Sequence, residues 1–499
     1  MVSFVIFFFY DKVKLMKNHF KIGIVVFFFS LFVFPVNVFG YTISKESNFY
    51  IEKSYVENGN DLVSGGLLYS SDKLNFYIDL NYWNSKNEEE KEAIEKKIID
   101  LNSEFSRRIY TGITSVFGTE ASYGVDKDSR ITVFFHEAKE DVNGYIRNID
   151  AFEKTVNPYS NQRKMIYLNT DLIDNGYLKE TLAHEFMHLI TVNKKELRYG
   201  INEDKWLNEA RAEYVVTLLG YNEGSSSYVQ SRINAFLEKP YTSLVKWNDT
   251  IYNYGVVNSF VHYLVDHYGA KILADSLNSE KVGIDSIEEA LLKNGIIDDF
   301  SEIFTNWSIA SYINDCVPEQ KYCFKDKNFK NVYIIPFSNF LPFSGESTLY
   351  NGQTIENYSA NWQRYVGGKE ELIIKFSNPT QSKISIPYIV KTVSGENIVR
   401  FMALSENQEG EALISGIGKT VGYVTVIPSL VNDYNNQESQ FYSITARTFT
   451  KKDLEITNLG TKEFPFEIDK PLNQMNKEEL LMLLIRVIIY LLVQGKLVI

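Results

Sequence analysis

Apolar side chains recur at helical spacing in two long segments of the first half of the chain, Glu89–Phe117 and Tyr177–Val192. The recurring positions are Ile94, Ile98, Leu101, Phe105 and Ile109 in the first segment, and Leu178, Leu182, Phe186, Leu189 and Ile190 in the second. Side chains three and four residues apart share one face of a helix. Both segments are therefore predicted to be amphipathic helices that bury one face.

Two short apolar runs between these segments predict strands. Arg130–His136 and Lys164–Asn169 are too short for typical helices and are rich in β-branched or aromatic residues. Strands followed by a series of helices indicate an α+β arrangement. We therefore expect residues 41–335 to form one α+β domain.

The pattern changes past Pro336, where short alternating or β-branched runs are separated by turn signals. These runs are Leu372–Phe376, Ile384–Val393, Ile398–Leu404, Gly422–Ile427 and Phe441–Thr448. Strands at this spacing predict an all-β, sandwich-like domain at residues 336–470. Two roles for this domain remain open: it binds substrates or surfaces, or it only stabilises the protein.

Both ends of the chain carry apolar runs that are not typical of a globular domain. Lys17 and Lys21 precede the apolar run Ile22–Phe34, so residues 1–40 are predicted to be a signal peptide, with an uncleaved anchor as the alternative. Either reading predicts export, so we expect the protein to be secreted, at the cell surface or periplasmic. Residues 471–499 form a hydrophobic tail in which Leu480–Val493 is interrupted by Arg486. This tail is short for a membrane span, and a docking helix, a peripheral anchor and an altered reading frame all remain open.

The charge balance narrows the choice of partners. The net charge is −12, and removal of residues 1–40, with four lysines and one aspartate, changes it to −15. An acidic chain without basic clusters argues against nucleic acid and anionic lipid, and leaves membrane contact to the leader or the tail. In an exported protein the two cysteines, Cys316 and Cys323, are expected to form a local disulfide.

The predicted helix Tyr177–Val192 contains the sequence His184-Glu185-Phe186-Met187-His188. Residues four apart share a helix face, so the two imidazoles can direct one nitrogen each at a common point. The chain has only six histidines, which makes this spacing rare by chance, and two histidines on a buried helix favour metal binding. The alternative is a solvated helix face. Glu185 lies beside the first histidine, where a water held at the same point would be within its reach.

A catalytic zinc ion (Zn²⁺) is typically held by three protein ligands and keeps one position open. Glu209 and Glu213 lie four residues apart on an otherwise apolar predicted helix, where two carboxylates are costly unless they meet cations. Glu209 is therefore the predicted third ligand. Glu213 and Asn208 are predicted to hold the second nitrogens of the two histidines. The alternative is that Glu209 pairs with Lys205 or Arg211 at the surface.

The sequence His184-Glu185-x-x-His188, a spacer and then Asn208-Glu209-Ala210-x-x-Glu213 resembles the gluzincin arrangement of thermolysin and its relatives. The export signal, the early catalytic segment and the β-rich C-terminal region are together most similar to the hyicolysin family of secreted bacterial neutral metallopeptidases. The matching stretch runs from about Leu178 to Gly269, a minority of the chain.

This resemblance implies a thermolysin-like zincin fold for residues 41–335 and one catalytic Zn²⁺. It implies His184, His188 and Glu209 as zinc ligands and Glu185 as the catalytic base. It also implies that an edge strand, taken to be Lys164–Asn169, pairs with the extended substrate backbone. Whether calcium is also bound is left open. No Gly-x-Met-Glu-Asn exopeptidase motif precedes the helix, which favours an endopeptidase.

The segment Tyr252-Asn253-Tyr254-Gly255, ahead of a predicted helix at Val256–Tyr268, resembles the Tyr-x-Lys-Gly segment of the membrane alanyl aminopeptidases. In those enzymes the tyrosine stabilises the oxyanion. That match makes Tyr252 the expected donor and Tyr254 the second candidate, with plain aromatic packing as the alternative. His262 and His267 lie on the following helix and are left out of the site, because a lone helix histidine is more often structural.

These features predict an exported zinc-dependent endopeptidase that hydrolyses peptide bonds in proteins or peptides. Glu185 would take the proton of the attacking water and pass it to the leaving amine. Two alternatives stay open: an exported binding protein or adhesin with a vestigial zincin domain, and a zinc hydrolase of a non-peptide substrate. The sequence does not give the cleavage specificity, the natural substrate or the oligomeric state.

Overall fold

The computed structural model describes residues 43–450 except 58, 223–226, 344–346, 381 and 433–438, together with parts of 475–488. The predicted leader, residues 1–40, and most of the predicted tail, residues 471–499, lie outside the described residues. Within the described ranges, no helix combines the length and the hydrophobicity that crossing a bilayer requires.

The described part of residues 43–335, here called the mixed region, is built on a six-stranded sheet. Its strands are β1 (Glu46–Tyr50), β2 (Leu62–Ser70), β3 (Leu74–Asp79), β4 (Ile131–His136), β5 (Gly144–Tyr145) and β6 (Met165–Asn169). Their spatial order is β1-β2-β3-β4-β6-β5, in which β3–β4 and β4–β6 are parallel pairs and the other pairs are antiparallel. The sheet therefore ends at the short strand β5.

Helices cover the sheet and continue the chain beyond it. They are α1 (Leu80–Ser85), α2 (Glu88–Glu104), α3 (Tyr110–Phe117), α4 (Leu178–Thr191), α5 (Lys205–Leu218), α6 (Tyr228–Glu238), α7 (Ile251–Tyr268), α8 (Lys271–Leu277), α9 (Gly283–Lys293) and α10 (Phe300–Ile313). A π-helical turn, Phe105–Ile109, joins α2 to α3, and these three elements together cover the first predicted helix. Helix α5 packs against both α4 and α7, which brings His184 and His188 of α4 next to the predicted helix that carries Glu209.

Helix α7 begins five residues before the predicted start at Val256. Its first turn is closed by Asn253, whose Oδ1 accepts hydrogen bonds from the backbone N–H of Thr250 at 3.3 Å and from its hydroxyl at 2.8 Å. A side chain that satisfies free N–H groups in this way fixes a helix start. The segment Tyr252–Gly255 therefore lies inside the helix, not ahead of it.

Residues 337–449, here called the β-region, contain strands without a described helix. They are β7 (Phe337–Leu341), β8 (Ser347–Ile355), β9 (Gln363–Gly367), β10 (Glu370–Ser377), β11 (Ile384–Ser385), β12 (Pro387–Thr392), β13 (Asn397–Phe401), β14 (Glu409–Ile417), β15 (Val421–Val426), β16 (Ser429–Leu430) and β17 (Gln440–Phe449). All five predicted strand runs fall on strands. The strands that the pattern missed are β7, β8, β9, β14 and the two-residue β16.

The β-region strands, apart from the short pair β11–β16, divide into two groups, β13-β12-β15-β9-β7 and β14-β10-β17-β8. The groups meet at one parallel pair, Ile417 with Val421, and one apolar core contains side chains from both groups. The β-region also packs on α10, since the indole N–H of Trp362 donates to the backbone oxygen of Ser308 at 3.1 Å.

The mixed α and β organisation and the large β-rich region are thus confirmed, as is the disulfide between Cys316 and Cys323. The thermolysin-like arrangement and the domain boundary at 335/336 stay predictions.

Candidate metal centre

Helix α4 carries His184 and His188 one turn apart on a face that is closed off from solvent. Each residue is 6% exposed, and the two imidazole ring centres lie 4.8 Å apart. The opposite side of α4 packs into the main apolar core through Leu182, Phe186 and Ile190. Burial of that apolar face therefore fixes the rotation of the helix and with it the direction of both imidazoles.

Helix α5 brings Glu209 to the same point. Its Oε2 lies 3.2 Å from Nε2 of His184 and 3.6 Å from Nε2 of His188. Its Oε1 lies 2.9 Å from the ammonium nitrogen of the half-exposed Lys205. Burial acts to raise the pKa of Glu209, but the two imidazoles and Lys205 outweigh it and hold the pKa well below its usual range. Glu209 can therefore pair with Lys205 and approach both histidines at once, because Oε1 faces Lys205 and Oε2 faces the histidines.

The second nitrogen of each imidazole is held by a side chain from α5 or α6. Nδ1 of His188 lies 3.1 Å from the amide oxygen of Asn208. Nδ1 of His184 lies 3.7 Å from Glu213 and 3.4 Å from the hydroxyl of Tyr228. The structure therefore brings together the five residues His184, His188, Asn208, Glu209 and Glu213 that the sequence pattern selected.

Tyr228 and Arg232 of α6 complete this support, and neither is among the site residues predicted from the sequence. The hydroxyl of Tyr228 donates to Oε1 of Glu213 at 2.7 Å, and the guanidinium of Arg232 contacts both oxygens of Glu213 at 3.1 Å. Asn258 of α7 donates to Oε2 of Glu213 at 3.1 Å. Buried Glu213 is thus paired and fully hydrogen-bonded, which is the condition under which a buried carboxylate is stable. The available signal was the i, i+4 spacing of Tyr228 and Arg232.

Glu185 differs from these residues because, among the described residues, one of its two carboxylate oxygens is buried without a hydrogen-bond partner. The residue is 5% exposed, and the oxygen concerned is Oε2. Burial raises the pKa of Glu185 to about 7, and the neighbouring Glu209 acts in the same direction against His188 and Lys205. Glu185, both histidines and Glu209 line one cavity of about 260 Å³. A carboxyl group free to take or give a proton therefore faces the metal-ligand cluster.

The structure places Tyr254, not Tyr252, in the wall of this cavity. The hydroxyl of Tyr252 donates to Glu238 at 2.7 Å on the protein surface. Positions two apart on a helix point in nearly opposite directions, roughly 200° apart, so one of the two tyrosines at most can face the site. Burial, together with the negative charge of Glu209, raises the pKa of Tyr254 above its ordinary value, which keeps its hydroxyl a donor. The prediction that Tyr252 is the donor is therefore wrong. Helix α7 starts before Tyr252, and this side chain lies on the surface side of the helix.

The strand that borders the cavity is β5. The prediction that Lys164–Asn169 forms the sheet edge is wrong, because β6 pairs with β4 on one side and with β5 on the other. Gly144 of β5 lies so close to α4 that an added Cβ would meet Glu185 Cγ at 3.1 Å and Thr181 Cγ2 at 2.9 Å. A side chain at this position would push the strand away from the helix. The close approach leaves the outer edge of β5 beside the cavity.

A buried ionic cluster fixes the connection between α4 and α5. Glu203 accepts a hydrogen bond from the guanidinium of Arg211 at 2.7 Å and lies 3.6 Å from the ammonium of Lys195. The side chains of all three are at most 1% exposed. Lys195 also donates to the backbone oxygens of Ser276 and Ser279 at 2.9 Å and 2.8 Å. This cluster ties the turn after α4 and helix α5 to the end of α8 and the residues that follow it.

The two histidines left out of the site have structural partners. His262 bonds through one nitrogen to the backbone oxygen of Asn258 at 2.7 Å and through the other to the Thr217 hydroxyl at 2.7 Å. His267 bonds to the backbone oxygen of Cys323 at 2.9 Å. Neither lines the cavity of the candidate metal centre.

The residues present fit a metal ion. One ligand atom each from His184, His188 and Glu209 lies within 4.8 Å of the others, and this triad is the cluster that the described residues offer for a metal. Both imidazoles are oriented through their other nitrogen, as metal-binding histidines are. Three protein ligands with an adjoining cavity correspond to a catalytic site, in which one coordination position stays open, more than to a closed structural one.

Comparison with known proteins finds a metalloprotease relative but no matching family. No sequence profile of a known protein family matches the chain. The neutral metalloprotease ShpI of Staphylococcus hyicus is 24% identical over 287 residues, which are 51% of this chain and 59% of that protein. The chain thus spans less than two thirds of this relative's length. The similarity supports a metalloprotease and, with the cluster above, a metal cofactor.

Similar solved structures cover 22% of the chain each. The pre-peptidase C-terminal domain of a Bacillus anthracis collagenase is 10% identical, covered over 96% of its length, with a TM-score of 0.17. The lysozyme inhibitor PliG of Aeromonas hydrophila is 6% identical, covered over 97%, with a TM-score of 0.17. PliG of Salmonella Typhimurium is 12% identical, covered over 96%, with a TM-score of 0.16. Likeness at this level bears on neither fold nor function.

Proposed function

We propose that the chain is an exported zinc-dependent endopeptidase of the gluzincin type, most similar to the hyicolysin family. The convergence of His184, His188 and Glu209 beside Glu185, whose Oε2 is buried without a partner among the described residues, carries the proposal. Similarity to a neutral metalloprotease supports peptide bonds as the target. Export rests on the apolar leader, residues 1–40, and the acidic composition.

The proposed cofactor is one Zn²⁺ held by His184, His188 and Glu209. Two imidazole nitrogens and one carboxylate oxygen are donors that zinc accepts in catalytic sites. When bound, zinc would polarise the scissile carbonyl and make a water molecule more acidic. Asn208 and the Glu213–Tyr228 pair would hold the two imidazoles in place for it.

Glu185 is the proposed general base and acid. It would accept a proton from the attacking water as the new C–O bond forms, and would give that proton to the leaving nitrogen as the peptide C–N bond breaks. A buried carboxyl group is suited to both tasks, because neither its charged nor its neutral form is strongly favoured near neutral pH.

Tyr254 and β5 are proposed to bind the substrate. The hydroxyl of Tyr254, which lines the cavity, would donate a hydrogen bond to the carbonyl oxygen as negative charge develops there. The outer edge of β5, Gly144–Tyr145, would pair with the backbone of an extended polypeptide. Backbone pairing of this kind accepts a chain on both sides of the scissile bond, which suits an endopeptidase.

The proposal is tested with casein and the purified full chain. Glu185→Gln is expected to lower turnover by about 10³-fold, within the range for loss of a general acid–base group. Glu180→Gln is the matched control, since Glu180 lies on the same helix, is 6% exposed and also has an unpartnered carboxylate oxygen. It should keep turnover within about twofold, because it lies away from the cavity.

Metal analysis by mass spectrometry accompanies the assay. One zinc per chain is expected in the wild type and in both glutamate variants, with loss in His184→Ala. Full activity of Glu185→Gln would show that the base is wrongly assigned. Bound zinc without casein cleavage would point to a non-peptide substrate. Failure to take up zinc would leave the binding-protein alternative and end the peptidase proposal.

A further inference from the structure

A cavity of about 360 Å³, here called the junction pocket, lies where the end of α10 meets the β-region. It shares no lining residue with the cavity of the candidate metal centre. Its lining combines two cations with three tyrosines and an amide: Arg364, Lys391, Tyr312, Tyr333, Tyr423 and Asn397.

The register of the sheet places both cations on the face that packs against α10. Strand β15 pairs with β12 and with β9, so that Tyr423 lies opposite Lys391 and Thr425 lies opposite Arg364. Residues two apart on a strand share a face with each other and with the residues across from them. The hydroxyl of Thr425 lies 2.7 Å from the hydroxyl of Tyr312 on α10. Lys391, Tyr423 and Arg364 therefore project from three adjacent strands towards the end of that helix.

The contacts of both cations are to neutral groups. The Nη2 of Arg364 donates to the hydroxyl of Tyr312 at 3.4 Å, and its guanidinium carbon lies 4.6 Å from the ring centre of Tyr423. The Nζ of Lys391 donates to Oδ1 of Asn397 at 3.1 Å. Among the described residues, neither cation has a carboxylate within 4 Å, and Nε of Arg364 is buried without a hydrogen-bond partner.

This arrangement is unusual in a chain whose net charge is −12, where carboxylates outnumber cations. A buried charged donor without a partner costs free energy, and a contact with an aromatic ring offsets that cost only in part. An anion bound in the junction pocket would supply the missing partner. The volume of the pocket suits one small group, since ligand pockets begin at about 300 Å³.

The surroundings of the pocket favour a carboxylate over a more highly charged anion. Tyr312 and Ile313 are the last residues of α10, and the C-terminal end of a helix carries partial negative charge. Asp315 adds a further negative charge beyond Asn397, whose Nδ2 donates to it at 3.0 Å. The planar guanidinium group matches the two oxygens of a carboxylate. Tyr333, which is 60% exposed, provides a ring for the carbon part of such a ligand.

We propose that the junction pocket is a carboxylate-binding site in which Arg364 and Lys391 hold the anionic group. The carboxylate belongs to an acidic side chain of a polypeptide or to a free organic acid. The inference goes beyond the proposed peptidase function and does not depend on the metal centre.

Binding to the full chain is measured by saturation-transfer NMR. The probes are the α-amide of N-acetyl-glutamic acid, its neutral analogue N-acetyl-glutaminamide, and glutarate. The glutamate compound is expected to bind with a Kd of about 1 mM, and the glutamine compound at least roughly 10-fold more weakly. Tighter binding of the glutamate compound than of glutarate identifies a polypeptide as the source, and the opposite order identifies a free organic acid.

Variants test the two cations separately. Arg364→Gln and Lys391→Gln should each weaken binding of the glutamate compound by roughly 10-fold or more. Lys391→Gln keeps the test valid if Arg364→Gln fails to fold, because Lys391 is only partly buried. Arg400→Gln is the matched control and should bind as the wild type does. Arg400 is an exposed cation of β13 that lies opposite Tyr388, on the other face of the same sheet.

Three results would overturn the proposal. The first is equal binding of the glutamate and glutamine compounds, or no binding of any probe. The second is unchanged binding in the folded variants. The third is inorganic phosphate that displaces the glutamate compound at equal concentration, which would show that the pocket prefers a more highly charged anion. None of these results bears on zinc uptake or casein cleavage, so the peptidase proposal stands or falls separately.

Discussion

The mixed region and the β-region bury polar groups of different kinds. In the mixed region, charged side chains are buried around α4 and α5, among them Lys195, Glu209, Arg211 and Glu213. Among the described residues of the β-region, Glu371 is the one charged side chain that is buried, and the other buried polar groups are amides and hydroxyls. Burial of a charge costs several kcal/mol unless it is paired, whereas a neutral group needs only a hydrogen bond.

This difference indicates that the mixed region carries a free-energy cost of buried charges that stability alone does not require. The β-region reaches stability by alternation of apolar and polar positions along its strands, as in β9 and β10. The mixed region holds the candidate metal centre in place with buried ion pairs that a purely structural core could replace by apolar residues. Function is therefore expected in the mixed region, and the comparison can be tested by removal of charges from both.

The largest effect is expected from Glu203→Ala. This change leaves Lys195 and Arg211 buried without their counter-charge, and the free energy of unfolding should fall by about 3–5 kcal/mol. Glu411→Ala is the control in the β-region, since Glu411 pairs with Lys375 at 3.2 Å near the surface. Its effect should stay below about 1 kcal/mol. Urea unfolding followed by circular dichroism measures both, and equal losses would remove the distinction between the two regions.

The pH dependence of stability tests the cost of a buried ionisable group in the mixed region, and His136 is the group to use. It is buried at the end of β4, with Nε2 2.9 Å from the hydroxyl of Tyr145. Burial lowers the pKa of His136 from 6.5 to about 4, so the unfolded chain takes up the proton first as the pH falls. The stability that neutral His136 contributes is complete above about pH 6.5 and is lost as the pH falls to about 4, by on the order of 3 kcal/mol.

This prediction is checked by urea unfolding of the wild type and of His136→Gln at several pH values between about 7 and 4. A chelator is present throughout, so that metal release does not contribute. The wild type should lose on the order of 3 kcal/mol more than the variant over this range. Parallel pH profiles would mean that the buried imidazole contributes no proton linkage.

Tyr254 and Tyr252 give a paired test at the metal centre itself. Tyr254→Phe removes a hydroxyl from the cavity wall and should lower kcat/KM on a peptide substrate by about 10²-fold, as loss of an oxyanion donor does. Tyr252→Phe removes a surface hydroxyl bonded to Glu238 and should change kcat/KM less than about twofold. The reverse result would restore the assignment made by resemblance and would place the first turn of α7 differently.

The sequence predicted the parts of the site that depend on local spacing. His184 with His188, and Glu209 with Glu213, could be selected because i and i+4 positions share a helix face whatever the surrounding fold, and Asn208 directly precedes Glu209. These residues converge because the two helices that carry them, α4 and α5, pack against each other. The five strand runs found in the β-region were likewise predictable, since period-two alternation is local information.

The missed features depend on contacts between distant segments. Tyr228 and Arg232 reach Glu213 because α6 packs on α7 and folds back over α5, which no local pattern reveals. The position of β5 at the sheet edge depends on a two-residue strand that carries no periodic signal. Tyr252 was chosen over Tyr254 by its match to the Tyr-x-Lys-Gly segment, which was expected to lie ahead of the helix. The helix start closed by Asn253, a less common residue three positions into a helix, places both tyrosines inside α7 instead.

The smallest effect is expected from the exposed aromatic residues of the β-region. Phe340 on β7 is 73% exposed, and Phe340→Ser should change the free energy of unfolding by no more than about 0.5 kcal/mol. If the β-region contributes only stability, cleavage of casein and of a short peptide should keep the same ratio in this variant. A selective loss of casein cleavage would show that this surface binds large substrates. In that case function would not be confined to the region with buried charges, and the contrast between the two regions would hold for catalysis but not for recognition.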